Sequence, residues 1–325
     1  MTDKTNQGNG PVLGFGGALV DMLAPIAEEE LATLTEAAKG DVRAIGPSDF
    51  RALMTRLQSR PVRRTAGGSV GNTLRVMRRN GLPATLLSAV GDDENGAFLT
   101  QAYQADGVDV SALHAVPGCL TDCCLALVTP DGERTMLPLL DAGRQQEALR
   151  FPDALFQEAR HLHLEGYAVR TPEATAAVLR QARAAGVPVS MDLGAVSLLK
   201  AHRAFYEGLR TRHEPLEWLF GNAAEAAELA GATRPSEAAA RLLSAGFARN
   251  AVVTCGAGGA WTATADGNAA HIPAAPLPGP LVDTVGAGDT FTGAFLAAIL
   301  RGAAPAEAGR QAATAAAECV CHAGA

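Results

Sequence analysis

The sequence contains no run of basic residues. Its 325 residues include 27 Lys and Arg against 34 Asp and Glu, which gives a formal net charge of -7. Nucleic acids and anionic membranes attract proteins through concentrated positive charge, so we expect neither as a partner. An anionic substrate must then be bound by a few groups within one site and not by a basic surface.

Long apolar runs and cysteine frameworks are missing as well. No stretch approaches the roughly 18 uncharged apolar residues of a transmembrane helix. The six cysteines form no Cys-x-x-Cys pair, which argues against a zinc site and against a disulfide-rich secreted domain. With 48% hydrophobic and 19% charged residues, the composition is that of a folded globular chain. We therefore expect a cytoplasmic protein without membrane contact.

Short apolar runs alternate with helical patterns along most of the chain. One complete unit has a strand at 161–167, a helix opened by Thr171 and Pro172 and ended by Gly186, and a second strand at 187–192. This alternation predicts an α/β fold with a mainly parallel, doubly wound sheet.

Residues 11–20 predict the first buried strand, with Asp21 at its end. Ligands of open α/β sheets bind where strands end, so Asp21 is either a ligand for a substrate hydroxyl or a turn residue.

Two regions interrupt the alternation. The β-rich residues 123–128 and 133–139 flank a Thr-Pro-Asp-Gly turn, which predicts a hairpin. Residues 22–65 contain a helical pattern at 48–57 and a strand-like segment at 62–65. No Pro-rich or Ser-rich linker separates these regions from the rest. We interpret them as a small subdomain at the edge of the sheet.

The segment from Asp283 to Asp289 carries the clearest chemical signal. A glycine turn, Gly286-Ala287-Gly288, leads directly into an apolar helix. Unpaired N–H groups and about half a positive charge converge at such a helix start, and glycines let an anion approach closely. The segment therefore predicts a phosphate site. Asp289 either caps the helix or takes a proton from an incoming hydroxyl.

Other nucleotide patterns are absent. No Gly-x-x-x-x-Gly-Lys-Ser/Thr sequence is present, which excludes a P-loop enzyme. The glycine clusters at 14–17 and 256–259 both lack the third glycine of the dinucleotide fingerprint, which argues against a Rossmann dehydrogenase.

Residues 67–71 match the Gly-x-Ser-x-Gly nucleophile elbow of α/β-hydrolases, with Ser69 as nucleophile and His271 or His322 following in the required order. The elbow needs a buried apolar strand before it, and residues 62–66 are polar and charged. A hydrolase remains the alternative prediction.

Asn222 and Glu225 open a helix at a spacing that permits two interpretations. Asn at the N-cap with Glu three residues later is a capping box. The same pair is typical of a Mg²⁺ site that works through water, because Mg²⁺ keeps much of its hydration shell. The spacing alone favours the cap.

Taken together, these segments resemble the ribokinase-like (PfkB) family of ATP-dependent sugar and nucleoside kinases, over residues 11–325. The resemblance rests on four segments in the family's order: 67–72, 90–96, 222–225 and 283–291. It implies a single ribokinase-like α/β domain with a small β lid, built from segments at about 15–66 and 114–142, which closes over the substrate.

The resemblance also implies roles for single residues. Asp289 would be the general base, with an anion hole for the γ-phosphate formed by Gly286, Ala287 and Gly288. Sugar hydroxyls would be bound by Asp21, Gly67, Gly68 and Asn72.

Cofactors follow from the same resemblance. ATP would bind near Thr254, Gly256 and Gly259, and Mg²⁺ would be organised through water by Asn222 and Glu225. A monovalent cation such as K⁺ is implied beside Asp283 and Val285.

The substrate stays open between adenosine, another nucleoside and a free sugar. The insert before Gly67 and the Asp-Gly-Glu-Arg-Thr hairpin are most similar to adenosine-kinase-like members, whereas Gly17 stands where those enzymes usually place Asn. A homodimer joined through lid strands is a further expectation from the resemblance. A family member that binds a sugar or nucleoside without catalysis is, like the hydrolase, an alternative to the kinase.

Overall fold

The computed structural model describes residues 10–211 and 215–322, so the last three residues of the predicted 11–325 domain lie outside it. Its strands are β1 Val12–Phe15, β2 Leu19–Pro25, β3 Arg63–Gly67, β4 Ala84–Gly91, β5 Leu113–Val116, β6 Asp122–Val128, β7 Arg134–Leu139, β8 His161–Leu164, β9 Val189–Asp192, β10 Leu216–Asn222, β11 Ala248–Thr254, β12 Ala260–Ala263 and β13 Ala269–Ile272. Its α-helices are α1 Leu31–Leu34, α2 Pro47–Leu57, α3 Ser69–Arg79, α4 Glu94–Ala105, α5 Asp153–Glu158, α6 Pro172–Ala184, α7 Val196–Ala201, α8 Arg203–Thr211, α9 Ala223–Ala230, α10 Pro235–Ser244, α11 Ala287–Leu300 and α12 Pro305–Cys319.

A large sheet organises the molecule. In the described part of the chain it has nine strands in the order β13-β12-β11-β10-β9-β8-β1-β4-β5. The pairs from β11 to β5 are parallel, and β12 and β13 add an antiparallel edge. Buried side chains of α3, α11 and α12 pack on one face, and those of α6, α9 and α10 on the other. The predicted doubly wound α/β fold is confirmed.

A separate small sheet has the strand order β3-β2-β6-β7. The predicted hairpin forms its β6 and β7 strands, which pair antiparallel from Cys123 with Leu139 to Val128 with Arg134. One face of β2 carries Val20 and Met22, which are fully buried, while Asp21 on the opposite face is only half-buried. We call the face with Asp21 the inner face and the other the outer face.

Helix α2 lies over the outer face. Its apolar residues Phe50, Leu53 and Leu57 are buried in the same core cluster as Met22. A cavity of about 440 Å³ between them is lined by Met22, Phe50, Met54 and Leu57, among others. The helical pattern predicted at 48–57 is thus confirmed, and its apolar side faces the small sheet.

The prediction for residues 11–20 was wrong. They form two strands in different sheets, because the chain turns away from the large sheet after Phe15 at Gly16 and Gly17. Asp21 consequently lies in the middle of β2 in the small sheet and not at the end of a strand in the large one.

The strand predicted at 161–167 was too long. Strand β8 ends at Leu164, and Gly166–Arg170 form a 3₁₀ turn. This earlier end leaves Glu165 at the carboxyl edge of the large sheet. None of the helices in the described ranges has the length and hydropathy that a membrane crossing requires.

Candidate active site

Helix α11 begins at a left-handed glycine. Gly286 is its N-cap with a φ of 76°, a conformation that favours glycine, and Ala287 and Gly288 begin the first turn. No side chain of the described residues caps this end, and a Cβ added at Gly288 would meet nothing within 4 Å. The N–H of Ala287 donates to the Thr284 carbonyl oxygen at 3.3 Å, whereas those of Gly286 and Gly288 have no hydrogen-bond partner among the described residues at this positive end of the helix dipole.

Asp289 lies in that first turn and is bound by two side chains of α3. Its Oδ1 accepts a hydrogen bond from the Ser69 hydroxyl at 2.7 Å, and its Oδ2 accepts one from the Asn72 amide at 2.9 Å. Burial raises the pKa of Asp289 to about 6, although both hydrogen bonds lower it. The carboxyl is thus oriented by two donors and poised to exchange a proton near neutral pH.

Asn72 has an unused acceptor. The residue is only 6% exposed, and its Oδ1 has no hydrogen-bond partner among the described residues. A buried amide oxygen without a donor is costly, so a ligand hydroxyl at this point would satisfy it.

Asp21 faces the site from the inner face of the small sheet. A Cβ added at Gly67 would overlap the Asp21 carboxylate, and one added at Gly68, where φ is 90°, would lie 2.6 Å from the Gly17 carbonyl oxygen. Burial, followed by the charge of Asp283, raises the pKa of Asp21 to about 6. The two glycines therefore provide the room that Asp21 and the adjacent turn occupy.

Glu165 lies beneath these segments. Its side chain is 3% exposed, Oε1 accepts a hydrogen bond from the N–H of Gly17 at 2.6 Å, and Oε2 accepts one from the N–H of Val70 at 2.9 Å. Burial raises its pKa to about 7 against the effect of both bonds.

Asn222 and Glu225 form the capping box that their spacing predicts. Asn222 Oδ1 accepts from the N–H groups of Ala224 and Glu225, and Glu225 Oε2 accepts from the N–H of Asn222 at 2.9 Å. Burial and the nearby charge of Asp192 raise the pKa of Glu225, and Asp192 also acts on Asp289.

That accumulation of acids suits a cation. A carboxylate engaged in a cap keeps further lone pairs for water, so Asn222 and Glu225 fit a hydrated Mg²⁺. Among the described residues, no group of three His, Cys, Asp or Glu side chains is arranged to hold a metal directly.

Asp283 connects the glycine loop with the small sheet. Its Oδ1 accepts from the N–H of Val285 at 3.1 Å, and both terminal nitrogens of Arg134 lie 3.4 Å from its Oδ2. Val285 is exposed, and the Cys319 thiol lies 4.0 Å from its carbonyl oxygen.

The loop predicted to bind ATP follows β11. Thr254 is the last residue of β11 and pairs in register with Asn222. Gly256 and Gly259 have φ values of 55° and 80°, and a Cβ at Gly259 would overlap the Ile272 carbonyl oxygen. This tight glycine turn therefore lies beside the capping box, at the same edge of the large sheet.

Ser69 does not have the surroundings of a hydrolase nucleophile. Its hydroxyl donates to Asp289, and no histidine of the described residues is bonded to it. The strand before it, β3, is at the edge of the small sheet and exposes Arg63 and Arg64.

Comparison with known proteins agrees with this geometry. The family model described as pfkB family carbohydrate kinase matches residues 35–325. The chain belongs to the pfkB family. It is accordingly a kinase, a phosphotransferase with a hydroxyl group as acceptor.

Several relatives of this pfkB family member act on different acceptors. It is 30% identical to the ATP-dependent ribose-1-phosphate kinase of Halopiger xanaduensis over 73% of this chain and 74% of that protein. It is 27% identical to adenosine kinase 2 of Arabidopsis thaliana over 93% and 90% of the two chains. Among solved structures, the adenosine kinase from Sinorhizobium meliloti is 26% identical, with a TM-score of 0.81 over 97% of this chain and 95% of that one.

The structure of this pfkB kinase also contains site residues that the sequence alone did not reveal. The predicted residues Asn72 and Asp289 are hydrogen-bonded across α3 and α11, and Gly286 is the N-cap of the helix that carries Asp289. The capping box and the loop after β11 lie together further along the sheet edge. Glu165 and Arg134 were missed. A signal for Glu165 was present, since an acid directly after a buried strand lies at the edge where α/β enzymes bind ligands.

Proposed function

We propose that this kinase transfers the γ-phosphoryl group of ATP to the primary hydroxyl of a nucleoside or sugar, with Asp289 as general base. One observation carries the proposal: the Asp289 carboxyl lies in the uncapped first turn of α11, oriented by Ser69 and Asn72. A base and an anion-binding backbone then act on the two sides of one transfer.

The acceptor oxygen forms a bond to the γ-phosphorus, the bond from that phosphorus to the bridging oxygen of ADP breaks, and the hydroxyl proton passes to Asp289. The N–H groups of Gly286 and Gly288 stabilise the charge on the transferred group, together with that of Ala287 once it leaves the Thr284 carbonyl oxygen. In-line positioning and electrostatic stabilisation supply most of the rate enhancement in phosphoryl transfer.

The acceptor is held between the sheets. Asp21, Asn72 and the backbone at Gly67 and Gly68 bind its hydroxyls, and the unpartnered Oδ1 of Asn72 supports this role. The small sheet acts as a lid over the acceptor and excludes water, which strengthens the electrostatic interactions beneath it.

The inner face favours a nucleoside over a free sugar. Half-buried apolar residues in register with Asp21 on this face are Leu19, Leu23, Cys124, Met136 and Pro138, and the polar residues Arg63, Thr65, Asp122 and Arg134 share the same register. Burial, with a smaller effect of Asp21, raises the pKa of the Cys124 thiol to about 12, so it is protonated and behaves as an apolar group. A flat base gains more from such a surface than a hydroxyl-covered sugar does.

ATP is proposed to bind along the carboxyl edge of the large sheet. Its base would lie near Thr254, Gly256 and Gly259, and its phosphates at the start of α11. Mg²⁺, held through water by Asn222 and Glu225, would neutralise phosphate charge when bound. We also propose that a monovalent cation binds beside Asp283 and Val285.

An ATP-consumption screen tests this proposal. We expect turnover with adenosine or another nucleoside above that with free sugars, and a comparison with and without K⁺ tests the cation. Binding without turnover of any acceptor would instead support the non-catalytic alternative. Ester hydrolysis abolished by Ser69→Ala, with no effect of ATP, would support a hydrolase.

A further inference from the structure

Helix α3 carries both donors that orient Asp289, yet it has no cap of its own. Its N-cap is Gly68, and no side chain from its own flank bonds to its first turn. The N–H of Val70 in that turn is instead bound by Glu165, which is 95 residues away along the chain. A carboxylate at a helix N-terminus also interacts favourably with the helix dipole.

The second oxygen of the same carboxylate binds another segment. Glu165 Oε1 accepts the N–H of Gly17, in the turn through which the chain leaves the large sheet and enters β2. A Cβ at Gly16 would overlap the Glu165 side chain, so this turn is closely fitted to it. One buried carboxylate therefore joins the segment that leads to Asp21 and the helix that carries Ser69 and Asn72.

We infer that Glu165 is a positioning residue of the transfer reaction, which fixes the acceptor-binding Asp21 segment and the helix that orients Asp289 relative to each other. Both of its oxygens are already occupied by backbone donors, and it is almost fully buried, so it acts through these segments and not on the acceptor itself. The expected effect on the reaction rate rests on the proposed function. The charged groups that act on it are Asp289 and Arg170.

Two substitutions distinguish a positioning role of Glu165 from a purely electrostatic one. Glu165→Gln keeps the shape but presents an amide donor to one of the two N–H groups, so one contact is lost. Glu165→Asp keeps the charge but is one methylene shorter, so it cannot span both segments. If Glu165 acts by position, both variants behave alike. If it acts only as a charge, the Asp variant behaves like the wild type.

Ser88→Ala is a matched control. The Ser88 hydroxyl donates to the Gly16 carbonyl oxygen at 2.6 Å, on the other side of the same turn from Glu165. Its removal takes one of two donors from the Gly16 carbonyl oxygen, since the Gln146 amide also donates to it at 2.8 Å, and removes no hydrogen bond to α3.

The test combines hydrogen–deuterium exchange with kinetics at saturating ATP. In both Glu165 variants we expect faster exchange in peptides covering 12–22 and 66–79. In Ser88→Ala we expect faster exchange only in the peptide covering 12–22. Displacements of the order of 1 Å in a site can cost about 100-fold in rate. We therefore expect the KM for the acceptor to rise about tenfold or more, kcat to fall, and the KM for ATP to stay within about twofold.

The inference is overturned if a folded Glu165 variant keeps wild-type exchange in 66–79, or if Glu165→Asp retains wild-type exchange and kinetics. Should Glu165→Gln fail to fold, the Asp variant alone decides between these outcomes. The exchange readout needs no turnover, so it stands even if the screen finds no phosphoryl transfer and the proposed function fails.

Discussion

Arg134 of the small sheet reaches across to Asp283 in the loop before α11, with both terminal nitrogens 3.4 Å from Asp283 Oδ2. The pair is partly exposed, so we expect it to contribute only about 0–1 kcal/mol to the free energy of unfolding. Its main effect would be to favour the position of the small sheet over the glycine loop.

Arg134→Ala should therefore raise the KM values several-fold while the melting temperature changes little. If the two residues act through each other, the effects of Arg134→Ala and Asp283→Asn will not add in a double-mutant cycle. Lys39→Ala is the control, because Lys39 pairs with Glu28 and Asp131 in the same part of the chain and away from the glycine loop. Strict additivity would contradict a coupling between Arg134 and Asp283.

Asp289→Asn tests the base. The amide cannot take the acceptor's proton, and general-base catalysis typically contributes about 10² to 10⁴ in rate. We expect kcat to fall by at least about 100-fold, with ATP binding retained in an equilibrium titration. Circular dichroism verifies that the variant is folded. A folded Asn variant with near-normal kcat rules out this role for Asp289.

Activity and stability should respond to pH in opposite directions. Burial raises the pKa of Asp289 to about 6 and that of Glu165 to about 7. An acid with a higher pKa in the folded chain binds its proton more tightly there, so its stabilising contribution is present at low pH and is lost as pH rises through that pKa. Proton transfer, in contrast, requires the unprotonated Asp289.

Between about pH 5 and 8 we therefore expect these carboxyls to lower the melting temperature as pH rises, against the opposite effect of buried His161, whose pKa is lowered to about 3, and we expect kcat/KM to rise. Scanning calorimetry and initial rates at the same pH values measure both trends. Asp289→Asn should weaken the dependence of the melting temperature on pH. A variant that keeps the wild-type pH dependence would contradict the raised pKa assigned to Asp289.

Gly68→Ala should damage the acceptor site beyond the cost of backbone strain. The φ of Gly68 is 90° and a Cβ there would lie 2.6 Å from the Gly17 carbonyl oxygen. Gly81 provides the matched control, since its φ is 81° and a Cβ there would meet nothing within 4 Å. Both variants share the cost of a positive φ, about 1–2 kcal/mol for a non-glycine residue. Gly68→Ala carries additional backbone strain, because the ψ of Gly68 is 125°, outside the left-handed helical region.

Thermal unfolding and acceptor KM should therefore separate the two variants. Gly68→Ala should lose more stability than Gly81→Ala, and it alone should raise the KM for the acceptor. Equal losses in both assays would show that the Gly17 contact has no effect.

The sequence supported the prediction of the glycine turn and Asp289 because their chemistry is local. Two glycines and an acid at the start of a helix indicate an anion site with a nearby carboxylate in whatever fold the helix occurs. Asp21 was identified as a candidate but assigned to the wrong strand, since an apolar run does not reveal that Gly16 and Gly17 send the chain into another sheet.

Glu165 was missed for a different reason. Its role depends on Gly17 and Val70, which come close to it only after β8 has paired with β1 and α3 has packed nearby. The buried strand before Glu165 indicates that it lies at the ligand-binding edge, but no pattern in the sequence indicates these two partners. The same holds for Arg134, whose partner Asp283 is 149 residues away.

Helix α2 has a thermodynamic consequence for movement of the small sheet. The helix covers the outer face, where Met22, Phe50 and Leu57 are buried, so a movement of sheet and helix as one unit keeps the apolar contacts between the two. A second copy packing on the same face would first have to displace the helix. Changes in buried apolar area set the heat-capacity change of a transition. If the small sheet closes as the proposed lid, the heat-capacity change should come from the area that the acceptor buries and from the contacts with α4, and not from the contacts between the sheet and α2.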